Sequence, residues 1–178
     1  MSTGELLVRG TAWLSLLGWA ASEWLKGTSA SRPVGARAAL ERAARSAFTA
    51  GGLLLLAHAA LALQVHYGWS HQAAARDTAR QTRAVTGLAF ERGLLVNEVF
   101  LVLWCLEALW WWRAAKSYRG RSRALEWPVR ASFLVMFACG AFVFVPRPMR
   151  LAGGAAIVAV AVAWYRAAKG EPPEVAHG

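Results

Sequence analysis

Cysteine is scarce in this sequence, and no paired cysteine motif is present. Of the 178 residues only Cys105 and Cys139 are cysteine, and each lies inside an apolar block. Disulfide frameworks and thiolate zinc sites need cysteines in pairs at short spacing, so neither is predicted. The sequence also lacks a phosphate-binding glycine loop, a nucleophile elbow, a His-Glu-x-x-His motif and a glycosylation sequon. We therefore favour a protein that is not an enzyme.

Acidic residues are half as numerous as basic ones. Ten Asp and Glu stand against 20 Lys and Arg, which gives a formal charge of +10. Clustered positive charge is typical of proteins that bind nucleic acid or acidic lipid. Here the basic residues fall in the short segments between apolar blocks, where the positive-inside rule places them in membrane proteins. We predict a lipid bilayer as the partner and no nucleic acid.

Long apolar runs are what the sequence has in excess. Its apolar fraction is 57%, above the ~45–50% of soluble domains, and the excess falls into blocks long enough to cross a hydrocarbon core as helices. The pattern predicts an all-α, polytopic integral membrane helical bundle of one domain, residues 1–170, followed by a disordered tail, 171–178. Five spans are predicted, at about 10–25, 47–65, 94–112, 131–145 and 149–165, the last two joined by a tight turn at 146–148.

The first block is the weakest of the five. It is short and carries Glu23, so it spans only if Arg9 and Glu23 extend toward opposite membrane surfaces. A four-span alternative treats it as an interfacial helix. A cleaved signal peptide is disfavoured because there is no basic cluster at the start of the chain.

The Lys and Arg count also predicts an orientation. With five spans, 13 of the 20 lie on the side that carries segments 26–46 and 113–130 and the tail, so that side should be cytoplasmic. We therefore expect a bacterial inner-membrane protein with residues 66–92 on the periplasmic side.

Within segment 66–92, Ser70 is predicted to cap, and Gly87 to end, a helix that follows the second span. A short surface helix that leads into the second span is predicted over 31–47.

The stretch HYGWSH, residues 66–71, places two of the four histidines at the outer end of the second span. Rings at that depth usually form the aromatic belt of a membrane protein, so an interface anchor is the ordinary interpretation. The alternative is a metal site for zinc, copper or iron that uses His66 and His71. Three or more protein ligands are needed, and Asp77, Glu98 or Glu91 are the residues that would complete the set.

Polar residues inside the predicted spans are the other candidates for function. They are His58, Asn97 and Glu107. His58 is a candidate haem ligand, but no other predicted span supplies a second histidine unless another chain does. A hydrogen bond between His58 and Asn97, joining the second and third spans, is the ordinary alternative. Glu98 and Glu107 are nine residues apart and point in opposite directions on a helix, and a proton path through Glu107, His58 and Glu98 is the functional alternative.

The segment HYGWSHQAAARDTARQT, followed by Gly93, Asn97 and the Trp-rich end of the third span, resembles a group of small bacterial membrane proteins. Those proteins carry a His-x-x-Trp-Ser-His stretch and an Asn in the next helix, and they have Asp where this chain has Glu107. The resemblance covers about residues 55–112. It implies that residues 66–82 act as a unit with the third span, and it carries no known activity.

Three classes of function remain open from the sequence. The first is an accessory or assembly subunit that packs against other membrane subunits or against a second copy of itself. The second is a metal- or haem-binding redox component that uses His58, His66 and His71. The third is a small proton or solute transporter that uses His58, Glu98 and Glu107. We expect them in that order.

Overall fold

The fold was examined in a computed structural model, which describes residues 2–29, 32–87, 92–142 and 147–170. Within these ranges the chain forms seven α-helices and no strand, which confirms the all-α prediction. The predicted turn at 146–148 begins outside the described residues, and Glu91 and the tail 171–178 also lie outside them. The helices are α1 Thr3–Ser29, α2 Val34–Tyr67, α3 His71–Thr86, α4 Gly93–Arg113, α5 Ala115–Arg119, α6 Arg123–Phe142 and α7 Arg147–Gly170.

Two of these helices, α2 and α4, are long and apolar enough to cross a membrane. Their most apolar 18-residue windows have a mean hydropathy of 1.7, and α7 contains a shorter apolar stretch, Arg150–Tyr165. The predicted helix over 31–47 that leads into the second span continues into it without a break, because α2 runs from Val34 through the second apolar block. Nothing between Arg37 and Phe48 interrupts a helix, since this stretch is Ala, Arg and Glu with single Leu and Ser residues.

Helices α1 and α2 form a closely packed hairpin whose crossing point depends on glycine. A Cβ on Gly18 of α1 would lie 2.9 Å from the Cα of Gly51 in α2 and 3.0 Å from the carbonyl oxygen of Ala47. A Cβ on Gly51 would lie 3.1 Å from the carbonyl oxygen of Ser15 in α1 and 3.0 Å from the ring of Trp104 in α4. Gly18 and Gly51 therefore let the backbones of α1 and α2 approach closely, and Gly51 also leaves room for the ring of Trp104 from α4.

Contacts at both ends show that consecutive long helices run in alternating directions. At one end, Val8 near the start of α1 meets His58 in the last third of α2, and α3 contacts the start of α4 through His71 and Glu98. At the other end, the last turns of α1 and α4 meet where Lys26 lies over the ring of Trp111. We call the first the α3 end and the second the α5 end.

The core between these ends is aromatic. Trp19 stacks on Phe137 with ring centroids 4.9 Å apart, and Trp104 meets Phe133 edge to face at 5.0 Å. The indole of Trp104 also donates a hydrogen bond of 3.1 Å to the carbonyl of Phe48. Edge-to-face and offset pairs of this kind add to the stabilisation from apolar burial, so helices α1, α2, α4 and α6 are joined through one continuous set of rings.

Candidate functional site

The HYGWSH stretch is the reversal between α2 and α3. Helix α2 ends at Tyr67, and the next two residues adopt the left-handed conformation, Gly68 with φ 52° and Trp69 with φ 65°. Such a φ is strained for a tryptophan, and the N–H of Trp69 is held by a 2.9 Å hydrogen bond to the carbonyl of Leu63. The Trp69 side chain is 62% exposed. The turn therefore presents an indole at the surface instead of burying it.

The predicted caps of α3 are confirmed. The Ser70 hydroxyl accepts a hydrogen bond of 3.2 Å from the N–H of Ala73, and Gly87 ends the helix in the left-handed conformation with φ 77°. A side-chain acceptor at the N-cap and a glycine at the C-terminus are local devices that need no tertiary contact. Ser70 and Gly87 therefore set the two ends of α3, a helix of 16 residues.

Asp77 ties α3 back to α2. The phenol of Tyr67 donates a hydrogen bond of 2.7 Å to Asp77, and the side chains of Arg80 and Gln81 donate to the same carboxylate at 2.7 and 2.8 Å. The hydrogen bond from Tyr67, ahead of those from Arg80 and Gln81, holds the pKa of Asp77 below its usual value of 3.8. The carboxylate is therefore a fixed acceptor in this turn.

This lowered pKa predicts an acid transition in the attachment of α3. A carboxyl group whose folded pKa is lowered stabilises the fold above its unfolded pKa of about 4 and loses that contribution as the pH falls through the folded value. We expect the protection of α3 amides, corrected for the slower intrinsic exchange at low pH, to fall below about pH 4. Tyr67→Phe should make this loss of protection smaller, because it removes the main cause of the lowered pKa and brings the folded pKa closer to the unfolded one. Asp77→Asn should make exchange faster at neutral pH and abolish this acid step; an unchanged step in Asp77→Asn would contradict the assignment.

The predicted metal ligands are only partly brought together. His71 on α3 contacts Glu98 on α4, while Asp77 is engaged by Tyr67, Arg80 and Gln81. His66 is exposed, with its ring edge against Tyr67. Within the part of the chain that the structure describes, no group of three His, Cys, Asp or Glu side chains is close enough to hold a metal ion.

His58 and Asn97 do not join the second and third spans as expected. His58 pairs through Nδ1 with the carbonyl oxygen of Val8, at 2.8 Å, and so links α2 to α1. Asn97 is exposed on α4. The expected His58–Asn97 hydrogen bond is therefore wrong. The reason is that α1, which sequence reasoning left as a marginal span, packs along α2 and offers the nearer acceptor.

A second polar cluster, buried at the α5 end, was not predicted. Its centre is Glu23 of α1, which is 2% exposed. The Glu23 carboxylate lies 2.5 Å from Nζ of Lys26, accepts a hydrogen bond of 2.7 Å from the indole of Trp164, and lies 3.6 Å from Nε of Arg130. Glu23 does not extend toward a membrane surface, which was the condition set for the first block to span; instead Lys26, Arg130 and Trp164, from α1, α6 and α7, surround its carboxylate inside the bundle.

Glu107 belongs to the same cluster. Its carboxylate lies 2.5 Å from the guanidinium of Arg121, and both side chains are only 6% exposed. The Arg121 guanidinium also lies over the ring of Tyr118, 4.3 Å from its centroid. Burial raises the pKa of the Tyr118 phenol well above its usual value. Glu107 therefore has a permanently charged partner. The three residues of the predicted proton path are each engaged elsewhere: Glu107 with Arg121, His58 with the carbonyl oxygen of Val8, and Glu98 with His71.

Lys26 completes the cluster as a cation among rings. Its Nζ lies 4.6 Å from the centroid of Trp111, 5.4 Å from Phe48 and 5.9 Å from Tyr118, within the range of cation–π attraction. Glu23, Lys26, Glu107, Arg121 and Arg130 line one cavity of about 10 Å³, room for about one water molecule. The cluster is thus an ionic network with aromatic walls.

A signal for this cluster was available in the sequence. Ser15, Trp19, Ser22 and Lys26 recur every three or four residues along α1, so they share one face with Glu23 beside it. All of them except Lys26 are buried. The polar residues of the first block therefore mark its inward face.

A comparison of the chain with protein-family models, with curated proteins and with solved structures finds no match.

Proposed function

We propose that this chain is an integral membrane protein in which α1, α2, α4, α6 and α7 cross the bilayer, and that it serves as an accessory subunit of a larger membrane complex. The observation that carries the proposal is an inverted distribution of polarity. Charged Glu23, Glu107 and Arg121 lie inside the bundle, whereas large apolar side chains cover its outside. Only 11% of the most apolar window of α2 and 22% of that of α4 are buried. The core helix of a water-soluble protein would bury most of such a window.

Outward apolar residues on the other long helices support five spans. Exposed large apolar side chains occur on α1, α6 and α7 as well as on α2 and α4, and they include Leu14, Leu17, Val135, Leu151 and Val158. In water, a continuous apolar surface of this extent is an aggregation hazard. In a lipid bilayer an apolar outer surface is required. Charged side chains are tolerated inside a membrane bundle when they pair with one another, as they do here.

The orientation follows from the same geometry. The α5 end gathers the segments richest in Lys and Arg, including Arg113, Lys116, Arg119 and Arg123. The positive-inside rule therefore supports a cytoplasmic α5 end and a periplasmic α3 end in a bacterial inner membrane.

A stripe on α4 supports the role of a subunit. Leu95, Val99, Val102, Leu106 and Leu109 recur at alternating steps of four and three residues, and each is 46–60% exposed. This spacing is that of a left-handed helix–helix seam, and it lies opposite the buried face of α4, which carries Trp104 and Glu107. A helix from another subunit is the partner that this stripe fits.

Cys105, exposed between Val102 and Leu106, provides a direct test. A photoreactive amino acid in place of Cys105 should capture one discrete membrane protein in cells. The matched control carries the same photoreactive amino acid in place of Cys139 of α6, also exposed, and should give no such product. Only lipid adducts from position 105, or the same products from both positions, would reject the subunit role. A product of two tagged copies would identify the partner as this chain.

Metal binding at the α3 end is the second candidate function. The contact between His71 and Glu98 favours it, because two of the predicted ligands meet there and both remain partly exposed. Elemental analysis of protein purified from its native membrane tests it. About one metal per chain that is lost in His66→Ala with His71→Ala supports the site; metal at background level rejects it.

A further inference from the structure

Three arginines form a ridge along one face of α3. Arg76, Arg80 and Arg83 are spaced four and three residues apart and are all exposed, and the side chain of Arg80 is 80% exposed. Helical geometry places the three within a sector of roughly 60°, with about 10 Å from the first to the last along the axis. We refer to these three residues as the arginine ridge.

The arginine ridge points away from the helical bundle. Ala74, on the opposite face of α3, is 2% exposed, and α3 packs against α2 and α4. The Tyr67–Asp77 hydrogen bond and the His71–Glu98 contact hold that orientation. Asp77 pairs with Arg80, whereas neither Arg76 nor Arg83 forms an ion pair with any described residue.

The position of the ridge is not explained by membrane insertion. Positive charge at the α5 end is what the positive-inside rule requires, but the ridge lies at the opposite end. Exposed arginines there do not contribute to the orientation that the positive-inside rule sets. A row of guanidinium groups matches phosphate oxygens in geometry as well as in charge.

We propose that the arginine ridge binds the phosphate groups of anionic lipid headgroups in the leaflet at the α3 end. The inference rests on the proposed membrane insertion. Two observations favour lipid over an acidic protein. Helix α3 lies beside the end of α2 and the start of α4, at the level where the apolar helices end. Trp69, just before α3, is 62% exposed, and tryptophan favours the headgroup level.

The test is hydrogen exchange of α3 amides in bilayer discs of phosphatidylcholine, with and without phosphatidylglycerol. We expect exchange to be slower with phosphatidylglycerol, by about fivefold for each arginine that is engaged, and to lose this difference at high salt. Arg76→Gln with Arg83→Gln should abolish most of the difference while keeping the Arg80–Asp77 pair. The matched control is Arg42→Gln with Arg113→Gln, two exposed arginines toward the α5 end, which should keep it.

Equal α3 exchange in the two lipids, or a difference that persists in the Arg76/Arg83 variant, would overturn the lipid proposal. Protection that appears only when a partner protein is bound, whatever the lipid, would assign the ridge to an acidic protein surface and would likewise overturn it. If the folded chain does not enter bilayer discs, the proposed membrane insertion itself is wrong. That outcome is distinct from the case in which the chain enters the discs but α3 exchange is the same in both lipids.

Discussion

Glu107→Gln should destabilise the protein by about 3–5 kcal/mol, the loss typical of breaking a buried ion pair from one side. The reason is that the Arg121 guanidinium, 6% exposed, would keep its charge and lose its counter-charge inside the bundle. Unfolding of the detergent-solubilised protein by heat or by a denaturing detergent measures the loss. Activity is not needed for this readout, so it applies whatever the function.

Two further variants make this result specific. Glu98→Gln removes the carboxylate of the His71–Glu98 pair, whose side chains are 63% and 43% exposed, and should cost only about 0–1 kcal/mol. Glu107→Gln combined with Arg121→Gln should recover part of the stability, because no unpaired charge remains. A Glu107→Gln protein as stable as the Glu98→Gln protein, or a double variant less stable than Glu107→Gln alone, would contradict the buried network.

Gly18→Ala should destabilise the α1–α2 hairpin, although alanine is the better helix former. The new Cβ would meet the backbone of Gly51 at 2.9 Å, and backbone atoms cannot move aside as a flexible side chain does, so we expect a loss of about 1–3 kcal/mol, typical of overpacking. The same unfolding measurement applies.

Gly10 supplies the matched control on the same helix. No atom lies within 4 Å of a Cβ at Gly10, so Gly10→Ala should be neutral or should stabilise α1 by up to about 1 kcal/mol through helix propensity. The two substitutions are chemically identical and should have opposite signs. Equal effects would show that α1 and α2 do not cross at Gly18 and Gly51.

Features decided by neighbouring residues were predictable from the sequence. Ser70 and Gly87 were identified as the ends of α3 because an N-cap acceptor and a left-handed glycine act within one turn of helix. The all-α class was also predictable, because the length of the apolar blocks indicates helices. The opposite orientation of Glu98 and Glu107 also followed, since nine residues on a helix fix the angle between two side chains.

Features decided by tertiary contacts were not predictable. The partner of His58 is a backbone carbonyl on α1, and every residue supplies a carbonyl, so the sequence carries no mark that selects Val8. Two of the three partners of Glu23, Arg130 and Trp164, come from α6 and α7, more than 100 residues later in the chain. The sequence showed that Glu23 was costly in an apolar block, but only the packing of distant helices shows that it lies inside the bundle.

Single-cysteine labelling tests whether α3 and α5 lie on opposite sides of a membrane, as the proposed topology requires. In a background with Cys105→Ser and Cys139→Ser, one variant carries Gln72→Cys in α3 and the other Ser117→Cys in α5, both at exposed positions. The account predicts that a membrane-impermeant maleimide labels the Gln72→Cys variant in intact cells and the Ser117→Cys variant only after the membrane is opened. Labelling of both variants in intact cells, labelling of the Ser117→Cys variant alone, or recovery of the protein in the soluble fraction would contradict it.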